Sequence, residues 1–204
     1  METELKLSLN AQDLPRLLAH PLLAGAGSVQ RLLNTYFDTP ELALQRRRMA
    51  VRERLAGEQW LLTVKTAGHS ENGLSRRQEW EAPTTRGDLQ FDTLVDDADL
   101  SAELMDLRPT LQALFCTDFE RQRWVITHDG ADIEVALDQG RIHVPGTDVS
   151  ELLLELELEL LSGPESVLLA LADVLRQTPQ GPVALTPSDA SKAQRGMALW
   201  QRLN

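Results

Sequence analysis

Polar and apolar residues alternate without a break from Leu154 to Leu160, so Glu155, Glu157 and Glu159 share one face of a predicted strand and four leucines share the other. At roughly 3.4 Å per residue the carboxylates stand about 7 Å apart. Like charges in a row repel, and a cation set over them would relieve the repulsion; hard divalent metals bound through oxygen are the candidates, with a solvated acidic face as the alternative.

The same period of two recurs along most of the chain. Glu2 to Leu9 sets Glu2, Glu4, Lys6 and Ser8 against Thr3, Leu5, Leu7 and Leu9. Asn10 is placed to cap a helix reaching about Leu23, shortened or kinked by Pro15 and Pro21. A second strand covers Val29 to Phe37, and after Pro40 a short helix runs from Glu41 to Arg46. Three strands then follow in meander order. Met49 to Ala56 puts Arg52 and Arg54 on one face, Glu58 to Thr66 does the same with Leu61, Thr63 and Lys65, and Leu74 to Ala82 with Ser75, Arg77, Glu79 and Glu81. Pro83 to about Leu114 reads as loops and short helices, with a helix end at Leu111 to Phe115. Asp118 to His128 carries Phe119, Arg121 and Arg123 opposite Trp124 and Ile126, and Asp129-Gly130 signals a type I′ hairpin. Ala131 to Asp138 puts Asp132, Glu134, Ala136 and Asp138 on one face, with a turn expected at Gln139-Gly140 before Arg141 to Val144. A helix from Gly163-Pro164-Glu165 to about Arg176 and a last one from about Pro187 to Leu203 complete the pattern.

These eight or nine strands are apolar on one face and carry charges of both signs on the other. An α+β fold accounts for both faces: a closed antiparallel β-barrel with a charged interior, its apolar outside covered by helices. A two-layer sheet with a wet polar face would alternate equally well. Charges inside a barrel are costly to desolvate, so ligands, metals or water must compensate them.

Composition narrows the picture. The 204 residues, 42% apolar, show no repeat and no Gly/Ser-rich linker, which predicts a single domain over residues 1–204. A net charge of −11 argues against nucleic acid or an anionic membrane as partner, and no apolar run is long enough to span one. Met1-Glu-Thr-Glu lacks the features of a signal peptide, and the single Cys116 suits a reducing cytoplasm, where it reads as a buried structural residue. The four His are scattered, without metal-ligand spacing. The basic residues, by contrast, cluster on particular strands, as an anion site would need; Arg46, Arg47 and Arg48 fall outside the alternation and read as solvated.

Glu2-Thr3-Glu4-Leu5-Lys6 resembles the ExExK signature of the CYTH superfamily, the triphosphate tunnel metalloenzymes. Further stretches follow in the family's order: Tyr36-Phe37-Asp38-Thr39, Arg52-Glu53-Arg54, Thr63-Val64-Lys65, Glu79-Trp80-Glu81, Arg121-Gln122-Arg123-Trp124, Glu134 to Asp138, Glu157-Leu158-Glu159-Leu160 and Ser191-Lys192-Ala193-Gln194-Arg195-Gly196. The resemblance implies an eight-stranded antiparallel tunnel that binds triphosphate and divalent metal, closed by a C-terminal helix at about 187–203. Within the superfamily the chain looks most like bacterial inorganic triphosphatases, which often carry a CHAD domain; no such His-rich helical domain is present here, which suggests a single-domain member or part of a longer chain. Lys6, Arg52, Arg54, Lys65, Arg121, Arg123, Lys192 and Arg195 are then the expected phosphate-binding residues. Glu2, Glu4, Glu157 and Glu159 are the expected ligands for Mg²⁺ or Mn²⁺, two ions per site during turnover. Glu79, Glu81, Glu134 and Asp138 are further candidates for holding the second ion or taking the proton of the attacking water, together with Glu2, Glu4, Lys6 and Lys65 as catalytic residues; Glu155 ranks below them, and Arg77 reads either as part of the site or as a partner of its neighbouring carboxylates. The implied reaction is hydrolysis of inorganic triphosphate to diphosphate and phosphate. Nucleoside triphosphatase, thiamine triphosphatase and adenylate cyclase are rivals within the same fold, and a non-catalytic polyphosphate-binding module is a rival of another class.

Overall fold

Alternation becomes a curled antiparallel sheet in the computed structural model, which describes residues 2–25 and 27–203. Its strands are β1 (Glu2–Leu9), β2 (Ser28–Asp38), β3 (Ala50–Ala56), β4 (Gln59–Lys65), β5 (His69–Glu71), β6 (Leu74–Arg77), β7 (Glu79–Thr84), β8 (Gln112–His128), β9 (Ala131–His143) and β10 (Ser150–Ser162). A small ribbon, β11 (Gln177–Thr178) with β12 (Gly181–Pro182), stands apart, and β13 (Leu185–Pro187) pairs with β1. The order across the sheet is β5-β6-β1-β10-β9-β8-β2-β3-β4-β7. β6 lies on β1 while β7 lies on β4, and only Gln78 separates them, so one run of chain bridges the two ends and holds the sheet in its curl. The sheet has eleven strands where eight were expected. β6 and β7 are one stave interrupted at Gln78, and β5 and β13 are short edge additions; set aside in that way, eight long staves remain.

Several local expectations change. Gln112 to Phe115 belongs to β8, not to a helix end, because Tyr36 and Phe37 of β2 pair with Phe115 and Ala113 across a bulge. Gln139-Gly140 does not turn: β9 runs straight through it, with Gly140 opposite Phe119. A Cβ at Gly140 would sit 2.5 Å from the Phe119 backbone, so the glycine serves a close approach of two strands. The Asn10 helix splits into α1 (Leu14–Leu18), preceded by Asp13, and a 3₁₀ turn at Pro21–Leu23. The Asp129-Gly130 hairpin is as expected, with φ of 44° and 77°.

Helices α2 (Ala43–Arg46), α3 (Phe91–Leu94) and α4 (Ala98–Leu107) cover the outer face of β3, β4 and β7 through Leu44, Phe91 and Leu104. The outer face of β1, β8, β9 and β10 is covered by α1 and α5 (Ser166–Leu175), where Leu5, Leu7, Val135, Leu156 and Leu158 meet Leu168 and Leu171. None of the described helices is long and apolar enough to cross a membrane.

The last helix, α6 (Lys192–Gln201), begins at a Ser191/Gln194 capping box, five residues later than the pattern suggested because Leu185–Pro187 pairs with β1. It packs on the inner face of the sheet. Along β8, β9 and β10 the inward face passes from charged to apolar, and Phe115, Phe119, Ile142 and Leu153 receive Met197 and Leu199 of α6. The charged interior therefore fills only part of the bore; α6 plugs the rest. Gly196 fits that seam: a Cβ there would meet the Phe115 ring at 2.0 Å. Gly196→Ala should destabilise the protein by about 1–3 kcal/mol through overpacking, measured as a lower denaturation midpoint with unchanged slope.

Candidate functional site

The charged part of the bore is a cavity of about 1000 Å³. Strand register builds its wall. Glu4 lies opposite Glu159, which lies opposite Glu134; Lys6 faces Glu157; Arg52 faces Thr63, which faces Glu81; and Lys65 faces Glu79. Glu2, Glu4, Lys6, Arg52, Arg54, Lys65, Glu79, Glu81, Arg121, Arg123, Glu134, Glu157, Glu159 and Lys192 all line the cavity, gathered from seven strands and α6. Asp138, Glu155 and Arg195 do not line it. Arg195 instead ties α6 to β10, donating from Nε to Glu151 at 2.8 Å and from Nη2 to the Leu152 carbonyl at 2.7 Å.

Three ion-pair clusters organise the wall. In the first, Lys65 lies 3.0 Å from Glu2 and 2.6 Å from Glu79, while Arg77 donates to Glu2 at 2.9 Å and to Glu4 at 2.8 Å. Burial opposes ionisation of Glu2, yet Lys65 and Arg77 outweigh it and hold the carboxyl well below the usual range. Burial dominates at Glu79 and raises it, with Glu2 beside it adding to the rise.

The second cluster fixes the arginine fork of β3. Arg52 donates from Nε to the Thr63 hydroxyl at 3.1 Å and lies 3.4 Å from Glu81, whose carboxylate accepts from Thr63 at 2.6 Å. Arg54 donates from Nε to the side-chain amide oxygen of Asn34 at 2.8 Å. Burial, with Arg52 and Arg121 nearby, lowers Arg54 to about 10. Burial would raise the Tyr36 phenol, but Arg52 and Lys192 outweigh it and bring it below the tyrosine range.

The third cluster surrounds Lys192. Oxygens of Asp138, Glu155 and Glu157 lie within 4.8 Å of one another, as metal ligands would. The Lys192 ammonium occupies that cage, 2.7 Å from Asp138, 2.8 Å from Glu157 and in contact with Glu155. Arg121 closes it with a two-pronged bond to Asp138, 2.7 Å on each prong.

Glu159 differs from all of these. No ion pair or hydrogen bond reaches its side chain among the described residues. Burial, together with Glu2, Glu134 and Glu79, raises it to about 7. A carboxylate held among carboxylates is a place short of one positive charge, and that fits a divalent cation better than the cage already filled by Lys192. The sign for stability is clear. The folded value of about 7 exceeds the ordinary 4.5, so Glu159 destabilises the metal-free fold fully above pH 7, and the penalty fades as pH falls toward 4.5. Glu159→Gln should therefore raise Tm of the metal-free protein at pH 8, with a gain that shrinks below pH 7; an equal gain at pH 8 and pH 5 would show that charge is not the cause.

Some contacts of the site escape sequence reasoning, even for a residue such as Arg77 that the strand pattern brings into view. Arg77 shares the Glu79 face but is fixed to Glu2 and Glu4 only by the β1–β6 pairing. Tyr36 and Asn34, neutral in sequence, reach the arginine fork through the β2–β3 register.

The CYTH domain profile matches residues 1–196. The chain belongs to the CYTH domain family. Over 208 aligned residues it is 33% identical to the inorganic triphosphatase of Haemophilus influenzae, covering 97% of this chain and 54% of that protein, so the chain spans about half the length of that relative. Among solved structures, a Hippeastrum protein named for adenylyl cyclase activity and described with a dominant triphosphatase activity superposes with a TM-score of 0.65 at 22% identity, over 97% of this chain and 96% of its own. A Bacillus halodurans protein named for adenylate cyclase activity gives 0.63 at 20%, over 96% of each chain. A Pyrococcus horikoshii protein gives 0.60 at 18%, over 97% and 99%. These structures share the CYTH fold with this chain.

Proposed function

We propose that this CYTH chain is a divalent-metal-dependent inorganic triphosphatase that cleaves triphosphate to diphosphate and phosphate. The observation that carries the reading is the pairing of Arg52, Arg54 and Lys65 on one side of a single cavity with the Glu4, Glu159 and Glu134 row on the other, in which Glu159 has no ion-pair partner among the described residues. A pure anion receptor gains nothing from carboxylates beside phosphate, whereas a site for a polyanion together with a metal needs both.

Arg52 and Arg54 offer planar forks to phosphate oxygens, and Lys6 and Lys65 offer point charges. Arg121 and Arg123 extend this set on β8. Most of these cations are held by wall carboxylates, so substrate replaces internal partners and the wall is pre-arranged rather than assembled on binding. Glu4 and Glu159 would hold Mg²⁺ or Mn²⁺ with Glu134 beside them; Glu2 and Glu157 are already neutralised by Lys65 with Arg77 and by Lys192 with Arg121, and support that set from its edges. When bound, the metal supplies Lewis-acid stabilisation of phosphate oxygens and of the attacking water. Glu79, whose proton affinity burial raises, is the residue suited to take the proton as water attacks the terminal phosphorus and the P–O bond to diphosphate breaks. Glu81 orients Arg52 and Thr63, and Asp138 positions Arg121 from outside the cavity.

Phosphate release from triphosphate, ATP and thiamine triphosphate, each with Mg²⁺, with Mn²⁺ and with a chelator, tests the reading. Triphosphate should be the best substrate and the chelator should abolish turnover. Cyclic AMP formed from ATP would replace the hydrolase reading with a cyclase, and tight triphosphate binding without turnover in either metal would replace it with a binding module.

A further inference from the structure

Arg48 lines the cavity, although it sits outside every strand. Its position is built by the backbone. Asp38 accepts from the Leu44 and Gln45 amides at 2.8 and 2.9 Å and so anchors α2. At the other end of that helix, the Arg48 amide bonds the Gln45 carbonyl and the Met49 amide bonds the Leu44 carbonyl, both at 2.9 Å. These are the two bonds of a Schellman motif, and Arg48 occupies the residue that such a motif puts in the left-handed region, with φ of 56°. Glycine is the residue favoured there; an arginine bears a steric cost for its Cβ.

The two arginines before it are otherwise placed. Arg47 pairs with Glu103, and Arg46 is exposed and absent from the cavity wall. Each of the other lysines and arginines lining the cavity has a carboxylate partner, the longest such contact being Arg54–Glu81 at 3.8 Å. Arg48 has none among the described residues. A hydrogen bond of 3.2 Å from Gln201 of α6 to Gln45 places α2 beside the plug helix, so Arg48 stands at the α2–α6 edge of the cavity.

We propose that Arg48 is a further phosphate-binding residue of this cavity: an exposed guanidinium that meets the polyanion without first giving up a partner. The inference rests on the triphosphatase reading and adds to it a residue that acts on binding rather than on the chemical step. The test compares wild type with Arg48→Gly and Arg48→Asn, both of which tolerate the left-handed region, so that loss of the fold does not mimic loss of the contact. Steady-state kinetics with inorganic triphosphate should show KM raised about tenfold in both variants with kcat within about twofold. KM should rise less steeply with salt than in wild type, because one exposed charge contact is gone, and Tm should hold or increase. Active wild type with KM within twofold in both variants overturns the assignment of Arg48 and leaves the triphosphatase reading standing. Wild type that neither binds nor hydrolyses triphosphate overturns both.

Discussion

Glu4→Gln should lower kcat/KM for triphosphate by at least about 100-fold at a metal concentration that just saturates wild type, while stability changes by no more than about 2 kcal/mol. Glu4 is buried, lies opposite Glu159 and accepts from Arg77 at 2.8 Å. Glutamine keeps the volume and one acceptor oxygen, so the β1–β6 seam survives. What disappears is a negative charge beside Glu159, which has no ion-pair partner among the described residues. Steady-state kinetics over a series of metal concentrations separates the possible causes. A loss that shrinks as Mg²⁺ or Mn²⁺ is raised marks Glu4 as a residue that holds the metal, and wild-type activity at ordinary metal would remove it from the site.

The largest effect on stability is expected at Lys192. It is buried at 6% exposure, and its ammonium is the centre of a cage of three carboxylates, two of them on β10 and one on β9. Lys192→Met keeps the apolar stem and removes the charge, leaving Asp138 and Glu157 to Arg121 and Glu155 to Arg195. Breaking a buried pair from one side costs about 3–5 kcal/mol, or roughly 10 °C in Tm for a chain of this size. Burial already raises Glu155, so acid should protonate the cage first there, and the deficit of the variant should shrink as pH falls. Adding Glu155→Gln to Lys192→Met should recover part of the loss at neutral pH. A Lys192→Met protein as stable as wild type would mean that the cage is not what seats α6.

Much of this architecture is legible from alternation alone. The charged and apolar faces of β1, β3, β4, β8 and β10 follow directly from residue parity, and the phase is kept across Gln78 from Ser75 to Glu81. Three features are not legible, each because it depends on register or on packing between distant segments. Gly140 looks like a turn residue until Phe119 is seen pressed against it. Leu153 and Ile142 continue the inward face of Glu157 and Asp138, but only the docking of α6 explains why that face becomes apolar. Lys192 and Arg195 stand three residues apart on a helix, which suggests a shared role in the cavity; in the fold Lys192 enters the carboxylate cage, while Arg195 reaches Glu155 of that cage and Glu151 from outside the cavity. Arg48 is hidden differently, within a run of three arginines whose separate fates follow from how α2 ends.

The central claim is that the inward charges grip a polyanion and a metal together. A crystal structure with triphosphate and Mn²⁺, using the anomalous signal of manganese, tests it most directly. The account predicts a manganese peak between Glu4 and Glu159, with phosphate oxygens on Arg52, Arg54 and Lys65. Triphosphate found outside the cavity, or a metal seated in the Asp138–Glu155–Glu157 cage with Lys192 expelled, would contradict it.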